Sequence, residues 1–254
     1  MLTAHTAPVV LTMAGPPLPD GAVVVDGDRV VAVGAASDVV PAGARVRAHR
    51  GVLLPGLVDC STRLELGAAG AVAPVGAPGP LAAARGAVHA LLRGGTTCVG
   101  DVSTSELVAR ATAAASLAGR VLPAPLAGVL TPRADARRQM ATDPVVLLHP
   151  TGLGTAPSSA SDPLDVLGEA RAAYDLAVRL GLDVTGLAER LVVALTAGGA
   201  ALLEVPAGVL RPGARADLAV FDVATGGDPS TALLTHGPGG CTATVVAGRL
   251  VHRR

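Results

Sequence analysis

The 254-residue chain has no lysine, isoleucine, asparagine or tryptophan, and only one tyrosine and one phenylalanine. With so few rings, recognition of bases or sugars by stacking is nearly excluded. All 20 basic residues are arginines, balanced by 20 acidic residues, so the overall charge offers neither a footprint for nucleic acid nor a basic stripe for an anionic membrane. Lysine, isoleucine and asparagine share AT-rich codons. Their joint absence points to a high-GC bacterial genome and not to thermal adaptation, and it accounts for the crowding of alanine and glycine. The three cysteines, Cys60, Cys98 and Cys241, show no CxxC spacing and cannot all pair, as expected in a reducing cytosol. No basic segment precedes an apolar stretch near the start, so no secretory signal is visible and a cytoplasmic location is expected. The uncharged run from Leu66 to Ala84 is long enough for a membrane span, but Pro74, Pro78, Pro80 and four glycines break it.

Half of the composition is hydrophobic, enough for a sizeable core. The first fifty residues consist of short valine-rich runs, APVVLTMA, GAVVVDGDRVVAVG and ARVRAHRG, with Asp26-Gly27 as a hairpin signal. The last fifty are similar: RADLAVFDV and TATVVAGRLVHRR read as strands, with a turn at Ala247-Gly248. Between them, strand-like and helix-like runs alternate, the pattern of βα units around a parallel sheet. GVLLPGLVD reads as a buried strand, PLAAARGAVHALLRGG as a helix from Pro80 to Gly94-Gly95, and TTCVGDV as the next strand. The following helix opens on a capping box of Ser103 and Glu106. RVLPAPLAGVL and PVVLLHPTGLG are further strand candidates, and a helix is expected from Asp162-Pro163 to about Leu180. Thr185 is expected to cap a last one, closed by Gly198-Gly199. The stretch from Gly51 to Leu195 is little more than half of the ~250 residues that a complete (β/α)8 barrel takes.

Four stretches, in order, carry a resemblance. LLPGLVDCSTRLEL resembles the first barrel strand of the amidohydrolase superfamily, and RGGTTCVGD the strand after it. LGTAPSSASDPLDVLGEAR resembles a late segment of imidazolonepropionase-like and aminodeoxyfutalosine-deaminase-like members. AGVLRPGARADLAVFD with VVAGRLVHR resembles the returning β domain that closes such chains. The resemblance implies an α/β fold: a small β-sandwich-like composite domain from both termini, residues 1–52 and 204–254, plus an abbreviated TIM-barrel-like (β/α) domain over 53–203.

It also implies chemistry. Members hold zinc or another divalent ion with two histidines at the end of the first strand, histidines on middle strands and an aspartate from the last. The ion lowers the pKa of a bound water that attacks a non-peptide C–N bond. Here the two histidine positions fall on Ser61 and Arg63, and the aspartate position on Ala156. Neutral serine is a poor ligand, arginine keeps its proton and alanine offers no donor. No catalytic residue, metal ligand or cofactor is therefore expected, and a degenerate protein with a regulatory or scaffolding role is the first reading. The alternative is an active hydrolase with a rebuilt site.

By strand alternation Asp59, Ser61, Arg63 and Glu65 share one face. Together with Asp101, His149 and Ala156 they form the expected vestigial pocket. Arg63 is expected to pair with Asp59, Glu65 or Asp101 in place of the ion, or else to point to solvent. The six histidines, His5, His49, His89, His149, His236 and His252, show no ligand spacing. His149, at a strand end, is the best site candidate among them. Cys60 and Cys98 are expected to pack as small apolar residues, and Asp217 to serve as a turn or hydrogen-bond residue. A shortened barrel leaves open sheet edges, so a homodimer or a partner enzyme covering the gap is expected, with no nucleic acid and no membrane.

Overall fold

The computed structural model describes residues 1–64, 80–102, 106–122, 124–127, 129–137, 142–157 and 164–254. The strands are β1 (Thr3–Val10), β2 (Leu18–Asp26), β3 (Arg29–Ala35), β4 (Arg45–Ala48), β5 (Val52–Pro55), β6 (Leu57–Thr62) and β7 (Thr96–Val102). They continue with β8 (Ala118–Leu122), β9 (Val129–Leu130), β10 (Gly152–Leu153), β11 (Leu218–Phe221), β12 (Cys241–Val246) and β13 (Arg249–Arg253). The helices are α1 (Ala36–Val39), α2 (Pro80–Arg93), α3 (Glu106–Ala114), α4 (Pro132–Arg137) and α5 (Pro144–Leu148). After them come α6 (Val166–Arg179), α7 (Leu187–Ala194), α8 (Ala197–Leu202) and α9 (Pro229–His236). Glu65, Ser103 and Asp162-Pro163, and with them the expected capping box, lie outside the described residues. Among the described residues no helix is long and apolar enough to cross a membrane.

The molecule is a mixed α/β protein. Valine-rich strands from both ends of the chain join one eight-stranded sheet in the order β13-β12-β11-β5-β1-β2-β3, with β4 also pairing β1. β1 changes neighbour along its length: Thr3 to Thr6 pair with β4, whereas Val9 and Val10 pair with β5. The sheet therefore forks between β4 and β5. Valines of β1, β2, β3, β11 and β12 meet in one buried cluster with Leu53 of β5, Leu210 and Leu218. The β2–β3 turn falls on Gly27 and Asp28, one residue later than expected, because Asp26 and Arg29 still pair. The β12–β13 turn is the expected one, with Ala247 at φ 47° and Gly248 at φ 74°, the left-handed pair a type I′ hairpin requires.

GVLLPGLVD forms two strands and not one. Pro55 lacks an N–H to continue a ladder, and at Gly56 the chain leaves the eight-stranded sheet for a parallel one ordered β6-β7-β8. Only glycine fits there, since a Cβ would lie 2.0 Å from Thr97 Oγ1. Helices α2 and α3 cover one side of β7, burying Leu91, Val99, Val108 and Leu64 together. On the other side Val58, Cys60 and Cys98 pack against Ala200 and Leu203, at and just beyond the end of α8.

PVVLLHPTGLG also departs from expectation. Asp143 caps a helix by accepting from Val145 N at 2.8 Å, Pro144 takes the first turn, and α5 runs to Leu148 before the short strand β10. A proline with a capping aspartate outweighs a five-residue apolar run that reads equally well as strand. The helix expected from Asp162-Pro163 is α6, capped by Asp165. The helix after Thr185 begins behind Gly186 at φ 67°, and the two glycines expected to close it lie instead inside α8.

Candidate functional site

Leu57, Val58, Asp59, Cys60, Ser61 and Thr62 are all buried, so β6 is covered on both faces. One neighbour is β7, paired parallel. On its other edge runs the segment from β10 to Ala156, where Ala156 N donates to Ser61 O at 2.6 Å. The same segment joins β9, with which β10 pairs parallel and to which Gly154 N donates through Leu130 O at 3.0 Å. Approach to β6 is close enough to require glycine: a Cβ on Gly154 would stand 2.5 Å from Ser61 Cβ, and one on Gly152 2.8 Å from Cys60 Sγ.

Asp59 is the centre of this junction. Its Oδ1 accepts from Ser61 N and from Thr155 N, each at 3.1 Å, and its Oδ2 accepts from the Thr155 hydroxyl at 2.7 Å. Burial pushes the Asp59 carboxyl up to about 6, although the bonds from Thr155 and Ser61 act in the opposite direction. The carboxylate thus ties two segments 96 residues apart in sequence. Asp101, on the neighbouring strand, ties down the end of β6: its Oδ1 accepts from the Thr62 hydroxyl at 2.7 Å and from Leu64 N at 2.8 Å. Its buried Oδ2 has no hydrogen-bond partner among the described residues.

The expected pocket residues are therefore only partly together. Asp59, Ser61 and Ala156 meet directly. Alternation along β6 holds as far as Ser61, with Val58 and Cys60 on the opposite side against α8. Between Asp59 and Thr62 the register with β7 shifts, and Asp101 is engaged by Thr62 and not by Arg63. Arg63 is half-buried and, among the described residues, forms no ion pair with Asp59 or Asp101. Glu65 lies outside the described residues. Ala156 is buried at φ 35°. His149 is exposed and ends α5, with its backbone N–H donating to Val145 O at 3.0 Å. Sequence reasoning missed Thr155, the hydroxyl partner of Asp59. Its only signal was its place beside the aspartate position of the resembling motif.

Among the described residues the donor set does not fit a divalent ion. All six histidines lie within the described residues: His5 and His252 are on strands of the eight-stranded sheet, His49 directly follows β4, and His89, His149 and His236 are exposed. Among the described residues no group of three or more His, Cys, Asp and Glu side chains is arranged to hold a metal. Burial raises the thiols of Cys60 and Cys98, the latter to about 12, with carboxylates nearby adding to the effect. Thiolate ligands or nucleophiles are disfavoured there, and both cysteines pack as apolar residues. Asp217 serves as a turn residue, accepting from Ala247 N at 2.7 Å and Arg215 Nε at 3.0 Å.

No protein-family model matches the chain, and no curated protein does. Solved structures do. A zinc-bound adenosine deaminase from Xanthomonas campestris aligns over 99% of this chain and 93% of its own at 18% identity, with a TM-score of 0.73. Aminofutalosine deaminase from Helicobacter pylori aligns over 99% and 100% at 14% identity and 0.71, and guanine deaminase from E. coli over 100% of each at 14% and 0.70. At these identities the likeness is one of fold: the chain shares the fold of these deaminases.

Proposed function

We propose that the chain is an amidohydrolase-fold protein that works without a metal ion, in a regulatory or scaffolding role beside an imidazolonepropionase-like or related enzyme. In this reading residues 53–203 are an abbreviated barrel and residues 1–52 with 204–254 a composite β domain. The observation that carries it is the junction at Asp59. Where the resemblance would place ligands converging on an ion, the Asp59 carboxylate is spent on Ser61 N and on both donors of Thr155, and the methyl side chain of Ala156 cannot ligate a cation. A buried carboxylate with three hydrogen bonds is a structural tie.

Strand β8 supports the second half of the reading. It pairs with β7 alone among the described strands, its middle residues are exposed, and Val121 is an exposed apolar residue there. Such an edge accepts a further strand, which favours a second copy of the chain or a partner enzyme beside it.

A second reading is an active hydrolase of non-peptide C–N bonds with a rebuilt site. Two observations favour it: the fold shared with deaminases over nearly the whole chain, and the buried carboxylates of Asp59 and Asp101 on adjacent strands. Elemental analysis of the purified protein, together with an ammonia-release assay on imidazolone-type and aminopurine-type compounds, separates the two. The first reading expects less than a tenth of an equivalent of zinc and no ammonia above a blank. Stoichiometric metal with turnover would replace it by the second.

A further inference from the structure

The fork in the eight-stranded sheet leaves a cleft of about 530 Å³ between β4 on one side and β12 and β13 on the other. Its walls carry Arg45, Arg47, Arg50, Arg253, Arg254 and His49. A single acidic side chain, that of Asp222, lines the cleft with them. Among the described residues none of these five guanidinium groups is in an ion pair. Arg254 donates to the Gly239 carbonyl at 3.3 Å, and the buried Nε of Arg47 has no hydrogen-bond partner. In a chain whose side-chain charges balance overall, five arginines beside one acidic side chain are a strong local excess.

The cationic groups also act on one another. Burial, then Arg45 and Arg253, hold the Arg47 guanidinium below its ordinary range. Burial, with Arg47 and Arg253, does the same to His49. Behind the wall the His5 Nδ1 and His49 Nε2 atoms are 3.0 Å apart, with the rings stacked at 5.2 Å. One of those nitrogens must donate and the other accept, so the pair holds at least one neutral ring and fixes His49 in the wall. Folding has gathered charges that repel, and an anion with several negative oxygens would relieve all of them together.

We infer that this cleft binds a compact polyanion of the di- or triphosphate class. Guanidinium forks match phosphate oxygens in pairs, and the volume suits one small ligand. No tyrosine or phenylalanine lines the cleft to stack on a base, so the phosphate chain and not the nucleobase is what it recognises. The overall neutrality and the bounded size argue against a nucleic-acid strand. None of the lining residues belongs to β6 or β10, so the inference is independent of the function proposed for that junction.

Calorimetric titration of the full chain with tripolyphosphate, pyrophosphate, a nucleoside triphosphate and orthophosphate at constant ionic strength tests it. Saturable binding of tripolyphosphate, at least tenfold tighter than orthophosphate, is expected. The double variant Arg47→Gln/Arg253→Gln should weaken it tenfold or more, and Arg50→Gln, an exposed position that leaves folding untouched, threefold or more. A nucleoside triphosphate bound no more tightly than tripolyphosphate identifies a free oligophosphate as the source. Tighter binding by tenfold, regardless of base, identifies a nucleotide tail, with the same phosphate recognition. The inference is overturned if tripolyphosphate gives no saturable heat at 1 mM, if Arg50→Gln and the double variant both bind like the wild type, or if a single-stranded oligonucleotide outcompetes tripolyphosphate.

Discussion

Replacing Asp59 by asparagine isolates the energetics of the junction between β6 and β10. The side chain is fully buried, and its carboxyl rises from its ordinary 3.8 to about 6. A raised aspartate pKa means that the folded state holds the proton more tightly than the unfolded chain. Below about pH 3.8 both states are protonated and no penalty exists. Between 3.8 and 6 the unfolded chain ionises first and stability falls as pH rises, and above about 6 the loss is complete. At ~1.4 kcal/mol per pH unit, the rise amounts to about 3 kcal/mol. Asparagine keeps the shape: its carbonyl oxygen can accept from Ser61 N and Thr155 N, and its amide can donate to the Thr155 hydroxyl oxygen. It cannot ionise. Urea denaturation of both proteins across pH 4 to 7.5 should therefore show the stability of Asp59→Asn gaining on the wild type by about 2 kcal/mol between pH 4 and 7, since part of the penalty is already present at pH 4. Groups that titrate in both proteins cancel in the difference. Curves that stay parallel within about 0.5 kcal/mol would refute the assignment of a buried, proton-holding carboxylate.

Two further substitutions test the local geometry. Gly56→Ala would place its Cβ within 2.6 Å of three atoms of the buried Thr97 side chain, so a loss of about 1–3 kcal/mol is expected in the same assay, partly recovered in the double variant Gly56→Ala/Thr97→Gly. Asp143→Ala removes the side-chain acceptor of Val145 N at the start of α5. It should cost about 1 kcal/mol, and an unchanged midpoint would return PVVLL to the strand that its composition suggests.

Local signals were legible wherever the deciding atoms lie close in sequence. The Ala247-Gly248 turn, the span of α2 from Pro80 to Arg93 and strand β7 over TTCVGDV follow from turn chemistry, capping and hydrophobic runs. GVLLPGLVD misled because a continuous apolar run does not show that it serves two sheets. The break at Gly56 is forced by Thr97, 41 positions away, and the proline before it only permits the break. PVVLL misled because five apolar residues carry no period of their own, and the Asp143-Pro144 pair ahead of them decides.

The candidate site divides in the same way. From residue identities alone it follows that Ser61, Arg63 and Ala156 stand where the resembling motifs carry ligands, since the ability to donate electrons to a cation belongs to the side chain itself. What occupies the place of that chemistry was a matter for tertiary structure. Asp59 finds Thr155 across 96 residues, and the register shift in β6 gives Asp101 to Thr62 and leaves Arg63 aside. The arginines of the basic cleft likewise come from opposite ends of the chain, and only the pairing of β1 with both β4 and β5 sets their two groups face to face. Sequence determined which groups this protein has to work with. Their meeting depends on long-range strand pairing, which local composition does not encode.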